Sequence, residues 1–140
     1  MHARILGTGD EAMLAAAAEI VEEDTPTPER CRQLLADPCF LAVVALDDGA
    51  PVGLTYGHVL PQLTRTALLI YSVDTAETRR RRGAARAMIN ELKSLCLVRG
   101  YYEMWVPTNT SNDAAVALYA ACGGVREDTD EAIFVFPTPG

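Results

Sequence analysis

The sequence predicts an α+β fold: one domain over residues 1–140, a mixed and mostly antiparallel central sheet of about six to seven strands, and about four flanking helices. Three observations predict it. The apolar period changes from about two along residues 66–75 to three or four beyond Gly83. Asp47-Asp48-Gly49 supplies a tight turn between two apolar runs. A strand, a long helix and another strand follow one another from Thr66 to Val106, the order of a parallel βαβ crossover.

Taken in order, residues 2–6 form a short strand, and residues 10–23 form a first helix with Met13, Leu14, Ala17 and Ile20 at helical spacing. Thr25-Pro26-Thr27-Pro28 breaks it. Thr27 as N-cap, Pro28 at the first helical position and Glu29 in the first turn then open a second helix to about Ala36. Phe40–Leu46 and Pro51–Leu60 read as an antiparallel pair, and Thr66–Thr75 as the next strand of the meander. Both faces of that last strand are mostly apolar up to Ser72, which places it centrally in the sheet. Ala85, Met88, Ile89, Leu92, Leu95 and Cys96 mark one face of a helix ending near Gly100. A strand over Tyr101–Val106, a helix over Asn112–Ala121, a stop at Gly123-Gly124 and a last strand over Glu131–Phe136 complete the chain.

Composition narrows the function. A net charge of −7 argues against nucleic acid, whose phosphates demand surplus Lys and Arg, and suits a small cationic partner. Apolar runs end well short of a membrane span, and the first residues lack the apolar core of a secretion signal, so a cytoplasmic protein without membrane contact is expected. Cys31, Cys39, Cys96 and Cys122 lack metal-site spacing and read as reduced thiols filling core space; no metal is expected. The basic run Arg79–Arg82 stands out as a local anion site in an acidic chain.

That run continues as Arg80-Arg81-Arg82-Gly83-Ala84-Ala85, between a strand and an amphipathic helix. Free N–H groups and the helix dipole favour an anion there. Gly83 admits close backbone approach, Ala84 and Ala85 keep the loop low, and the arginines can pair with phosphate oxygens. A P-loop is excluded because no Gly-Lys-Ser or Gly-Lys-Thr follows, and the glycine spacing of a dinucleotide fingerprint is missing too. Downstream, Asn112, Ala115 and Tyr119 share one helical face.

Val73-Asp74-Thr75 leading into Arg80-x-x-Gly83-x-Ala85 resembles the acetyl-CoA loop of the GNAT acetyltransferase superfamily, and Asn112-x-x-Ala115-x-x-x-Tyr119 resembles its downstream helix. The resemblance implies a single GNAT acetyltransferase domain that transfers an acetyl group from acetyl-CoA, as co-substrate, directly to an amine. It implies that Val73 and Thr75 offer backbone groups to the acetyl and pantetheine portions. Arg81 to Ala85, with Arg80, would wrap the pyrophosphate, Asn112 would hold the pantetheine arm beside Ala115, and Tyr119 would protonate the departing thiolate. Asp113, Asp74, Glu103 and His58 are the candidate bases near the inferred cleft, with Asp113 foremost.

From about Leu34 to Pro137 the chain resembles one branch in particular, the aminoglycoside 3-N-acetyltransferases. The shared stretches include Val59-Leu60-Pro61, Ile70-Tyr71, Ala87-Met88-Ile89-Asn90-Glu91-Leu92-Lys93 and Asp113-x-Ala115-Val116-Ala117-Leu118-Tyr119. The branch implies an aminoglycoside amine as acceptor and a role in antibiotic resistance, with Asp113 binding or deprotonating the amine and Ser72 and Asp74 beside it. Ser72 stands where the branch has Asp, and Asn109 and Asn112 replace further acids. Another small amine, a peptide N-terminus or an acyl-CoA-sensing role are the alternatives. Many members form dimers, which leaves a homodimer open.

Overall fold

The computed structural model describes residues 1–76, 83–127 and 130–139. Its elements run β1 (His2–Ile5), α1 (Glu11–Ile20), α2 (Pro28–Ala36), β2 (Phe40–Asp47), β3 (Ala50–Pro61), β4 (Thr66–Thr75), α3 (Ala84–Arg99), β5 (Glu103–Trp105) and α4 (Asp113–Ala121). Strand order follows chain order, β1 to β5; the first four pair antiparallel, and β5 joins β4 in parallel through the α3 crossover. The class is therefore α+β with a mixed sheet and, among the described residues, four helices. The sheet has five strands among the described residues rather than the expected six to seven.

Alternation along β2 builds two layers. Leu41, Val43 and Ala45 meet Met88, Leu92 and Leu95 of α3, while Ala42, Val44 and Leu46 meet Leu14, Ala17 and Ala18 of α1 and Cys31 of α2. Asp48 (φ 51°) and Gly49 (φ 80°) join β2 to β3, both left-handed as the tightest hairpin turn requires. Thr27 caps α2 as expected, its hydroxyl accepting from Arg30 N–H at 3.1 Å. β4 lies between β3 and β5, the interior position its apolar faces predicted. Cys31 and Cys122 are buried and Cys39 and Cys96 half-buried, all four as free thiols.

Two expectations fail. The segment Glu131–Phe136 forms no strand: Ile133, Phe134, Val135 and Phe136 are 80–93% exposed. Their β-branched and aromatic pattern fits a pleated, half-buried surface but forms none without a ladder to join. The first helix also ends at Ile20, not 23. Glu22 adopts a left-handed φ of 64°, and Glu22 N–H donates to the Glu19 carbonyl and Glu23 N–H to that of Ala18, turning the chain back over the sheet. No described helix is long and apolar enough to cross a membrane.

Candidate active site

The site begins where β4 and β5 part. β5 pairs with β4 only at Ala67, Leu68 and Leu69. Just beyond, Gly57 of β3 faces Ile70 while Tyr56 faces Ser72, leaving Tyr71 as the extra residue of a β-bulge. A Cβ on Gly57 would lie 1.9 Å from the Leu69 carbonyl oxygen, so only glycine allows this close crossing. From Ser72 to Thr75, β4 continues against β3 alone, and its other edge opens into a cavity of about 390 Å³. Ser72, Val73 and Asp74 form one wall; Pro107, Thr108 and Asn109 from the loop after β5 form another; Asn112, Ala115 and Tyr119 close it. This is the crevice at the carboxyl ends of adjacent parallel strands where α/β proteins bind ligands.

Arg80, Arg81 and Arg82, which precede α3 in the sequence, lie outside the described residues. Gly83 is the N-cap of α3 with φ 83°; a Cβ there would meet no described residue within 4 Å, and the left-handed backbone itself favours glycine. Among the described residues no side chain caps the helix, and no acid stands in its first turn, an arrangement that suits an anion at its N-terminal amides. Ala84 is buried against the core, so its contribution to a ligand is through the backbone; Ala85 is half-buried.

Asn112 is the N-cap of α4, its side-chain oxygen accepting from Ala115 N–H at 3.1 Å, and this leaves its amide group to donate. None of the helix's own residues is fully buried. Its far end is anchored instead: Cys122 is buried, and Lys93 Nζ of α3 donates to the Cys122 carbonyl at 2.7 Å. Tyr119 is thereby set in the cavity wall, where burial first and the Asp74 charge second raise its phenol pKa. The phenol is protonated at neutral pH and able to donate.

Asp113, the foremost candidate base, is exposed in the first turn of α4 and stands outside both cavity walls, where its natural role is to complement the helix dipole. Glu103 accepts from Trp105 Nε1 at 2.6 Å and is likewise outside. Asp74 is the expected acid that does line the cavity. Thr75 is not among its walls; it faces Gly53 on β3.

A second cavity, of about 360 Å³, opens on the other side of Tyr71, beneath α1 and α2. Four rings make its floor: Phe40 contacts Tyr56 and His58 at 6.3 and 5.5 Å, and Tyr71 contacts the same two at 5.8 and 5.6 Å. Glu23 and Asp24, just past α1, line it too. The Glu23 carboxyl pKa is raised, chiefly by its hydrogen bond with Asp74, then by burial and the charges of Asp74 and Asp24.

Residues 11–124 match the Acetyltransferase (GNAT) family. The chain belongs to that family. Its activity class is accordingly that of an acyl-CoA-dependent N-acetyltransferase, and acetyl-CoA is the general acyl donor of GNAT proteins. An aminoglycoside acetyltransferase from an uncultured soil metagenomic sample has a similar structure, at 30% identity and a TM-score of 0.82 over 98% of this chain and 97% of that one. A second metagenomic aminoglycoside acetyltransferase, in complex with sisomicin, superposes with a TM-score of 0.87 at 19% identity over 97% and 95% of the two chains. The ribosomal-protein-alanine N-acetyltransferase of Brucella melitensis biovar Abortus 2308 reaches 0.76 at 20% identity over 97% and 100%. No curated protein sequence matches.

In this GNAT chain the sequence motifs reach the first cavity and only the edge of the second, through Tyr71 of the shared Ile70-Tyr71 stretch and the candidate base His58. Phe40 and Tyr56 carry no motif, and Glu23 ends a run that reads as ordinary helix. One signal was available: Glu22, Glu23 and Asp24 crowd the C-terminal end of α1, where the dipole disfavours acids.

Proposed function

We propose that the chain transfers an acetyl group from acetyl-CoA to a primary amine of a small cationic substrate, the 3-amino group of an aminoglycoside foremost, acting as one domain over residues 1–140. The observation that carries the reading is the meeting of Tyr119 and Asp74 in the opening between β4 and β5. In a cytoplasmic setting such transfer would remove a positive charge from an antibiotic and so confer resistance.

The residues suit the donor. The open edge of β4 at Val73 and Thr75 offers backbone groups to an extended pantetheine amide chain, the first amides of α3 with Gly83, Ala84 and Ala85 suit a pyrophosphate, and Arg80, Arg81 and Arg82 add charge. The Asn112 amide completes the wall beside Ala115. Bound acetyl-CoA supplies an activated acyl carbon and a thiol leaving group. Tyr119 protonates that sulfur as general acid. Ser72 and Asp74 face the incoming amine, and Asp74 takes the place that Asp113 was expected to hold.

The test is thiol release from acetyl-CoA with gentamicin, sisomicin, spermidine and a peptide amine, with product masses recorded. Release with the first two and a 42-dalton gain, about the mass of one acetyl group, is the expected outcome. Release with the peptide alone would move the acceptor to a protein N-terminus. Tight acetyl-CoA binding without release on any amine would overturn the enzymatic reading of this site.

A further inference from the structure

The two cavities adjoin at Tyr71 and at a pair of acids. Tyr71, displaced at the bulge, lines both. Glu23 lines the aromatic cavity and Asp74 the cavity between β4 and β5, and their carboxyl groups share a hydrogen bond. Two carboxyl groups so close can bond only through a shared proton, and each proton lost leaves like charges facing each other. The arrangement is imposed by the backbone: the left-handed Glu22 turns the chain after α1 and carries Glu23 over the sheet.

The floor beside this pair is a closed circuit of four rings, Phe40, Tyr56, Tyr71 and His58. Aromatic faces attract a cation and the apolar face of a ring or alkyl chain. The buried His58 Nδ1 finds no hydrogen-bond partner among the described residues. Carboxylates above a ring floor are complementary to an ammonium group on an apolar or saccharide scaffold.

Resting on the acetyltransferase reading, we infer that the acceptor cation lies on this four-ring floor and that the Glu23–Asp74 pair seats its reacting ammonium and takes the proton from it. One proton passes from R–NH3+ to the Glu23 carboxylate and is shared with Asp74. The freed nitrogen lone pair forms the C–N bond as the C–S bond of the thioester breaks; the Tyr119 proton goes to sulfur, and the nitrogen returns one to the tyrosine oxygen. The carboxyl pair then releases its proton to solvent, so the products are an N-acetyl amide, a thiol and one proton.

Among the described residues, the charged and titratable groups facing Glu23 are Asp24 beside it, Arg30 of α2, Tyr56 and His58 of β3, and Tyr71 and Asp74 of β4. The sign follows from the raised Glu23 pKa. Its carboxylate destabilises the fold above that pKa, and the penalty is relieved as pH falls through it. A cation on the pair relieves it too, and expels the shared proton.

Gentamicin and spermidine binding to the full chain, with and without acetyl-CoA, is measured calorimetrically in two buffers of different ionisation heat at mildly acidic pH. The unaltered protein should release protons on binding. Glu23→Gln should bind at least about tenfold more weakly, release fewer protons, melt no lower than the parent and retain acetyl-CoA affinity. In kcat/KM, Glu23→Gln should lose about 100-fold and its acidic limb, whereas Asp74→Asn should keep the limb but shift it to lower pH. No amine binding by a parent that binds acetyl-CoA, or an unchanged acidic limb in Glu23→Gln, overturns the inference while leaving acetyl transfer intact. Loss of acetyl-CoA binding by the parent strikes the underlying reading instead.

Discussion

The two cavities beside Tyr71 are built by different means. The one between β4 and β5 is mostly backbone: a strand edge left open by a bulge, the glycine-led start of α3 beyond it, and the capped start of α4. The one beneath α1 and α2 is mostly side chains, with rings from β2, β3 and β4 and acids from the turn after α1. Backbone geometry suits a donor common to a whole family, because it tolerates any residue that keeps φ and small size. Side chains contributed singly by separate elements can be exchanged one at a time, which suits recognition of a variable acceptor. The difference teaches that donor and acceptor sites should fail independently.

The largest expected effect breaks the donor side. Gly83→Glu places a β-carbon at φ 83°, where the left-handed conformation costs a non-glycine residue about 1–2 kcal/mol. It also sets a carboxylate at the amides meant for phosphate. Acetyl-CoA affinity should fall by about 100-fold or more, with gentamicin binding within about twofold of the parent by calorimetry. Gly83→Asn, which tolerates the conformation and adds no charge, should retain most of the affinity. Equal loss of both ligands in Gly83→Glu would mean the cavities do not act separately.

Next in size is Tyr119→Phe. Removing the phenol proton should lower kcat by about 100-fold while acetyl-CoA affinity and the amine KM stay unchanged, measured by steady-state kinetics and direct titration. Unchanged turnover would remove Tyr119 from the chemistry and leave it as a packing residue.

Lys93→Met sharpens how α4 is positioned. Its ammonium donates to the Cys122 carbonyl, and none of the helix's own residues is fully buried. Losing a charged hydrogen bond of about 1.5–3 kcal/mol at that end should loosen Tyr119 and lower kcat several-fold, with the amine cavity unaffected. A wild-type kcat would show that Cys122 packing alone places the helix.

Legibility followed the same division. The hairpin at Asp48-Gly49, the Thr27 cap and the α3 face were readable because each depends on residues close in sequence. So were Gly83 and the Asn112-to-Tyr119 register, for which a short motif specifies local geometry. The bulge at Tyr71 was not, since it depends on Gly57 meeting Leu69 across two strands. Nor was the Glu23–Asp74 contact, which joins residues about fifty positions apart through an unexpected turn. Asp113 differs for the opposite reason: adjacent to the motif in sequence, it is exposed in the first turn of α4 and lines neither cavity. The tail over Glu131–Phe136 misled because strand propensity says nothing about a partner.

The smallest effect tests that unexpected turn. Glu22 has a left-handed φ of 64°, a conformation glycine adopts without strain. Glu22→Gly should therefore keep the bonds from residues 22 and 23 back to Glu19 and Ala18 and hold Glu23 over the sheet. It also removes one acid from the negative end of α1. Relief of strain is partly offset by the greater freedom of an unfolded glycine, so the net gain should stay below about 1 kcal/mol, a rise of about 2–4 °C in Tm. Acetyl-CoA affinity should not change, and neither should the amine KM, because the mutation preserves the turn and touches no cavity wall. A raised KM at unchanged acetyl-CoA affinity would show that the acceptor side reads the Glu22 charge itself, and would extend the acidic rim beyond Glu23 and Asp24. A raised KM together with a lost acidic limb would show instead that glycine lets the turn relax, so that the strain at Glu22 is what keeps Glu23 against Asp74.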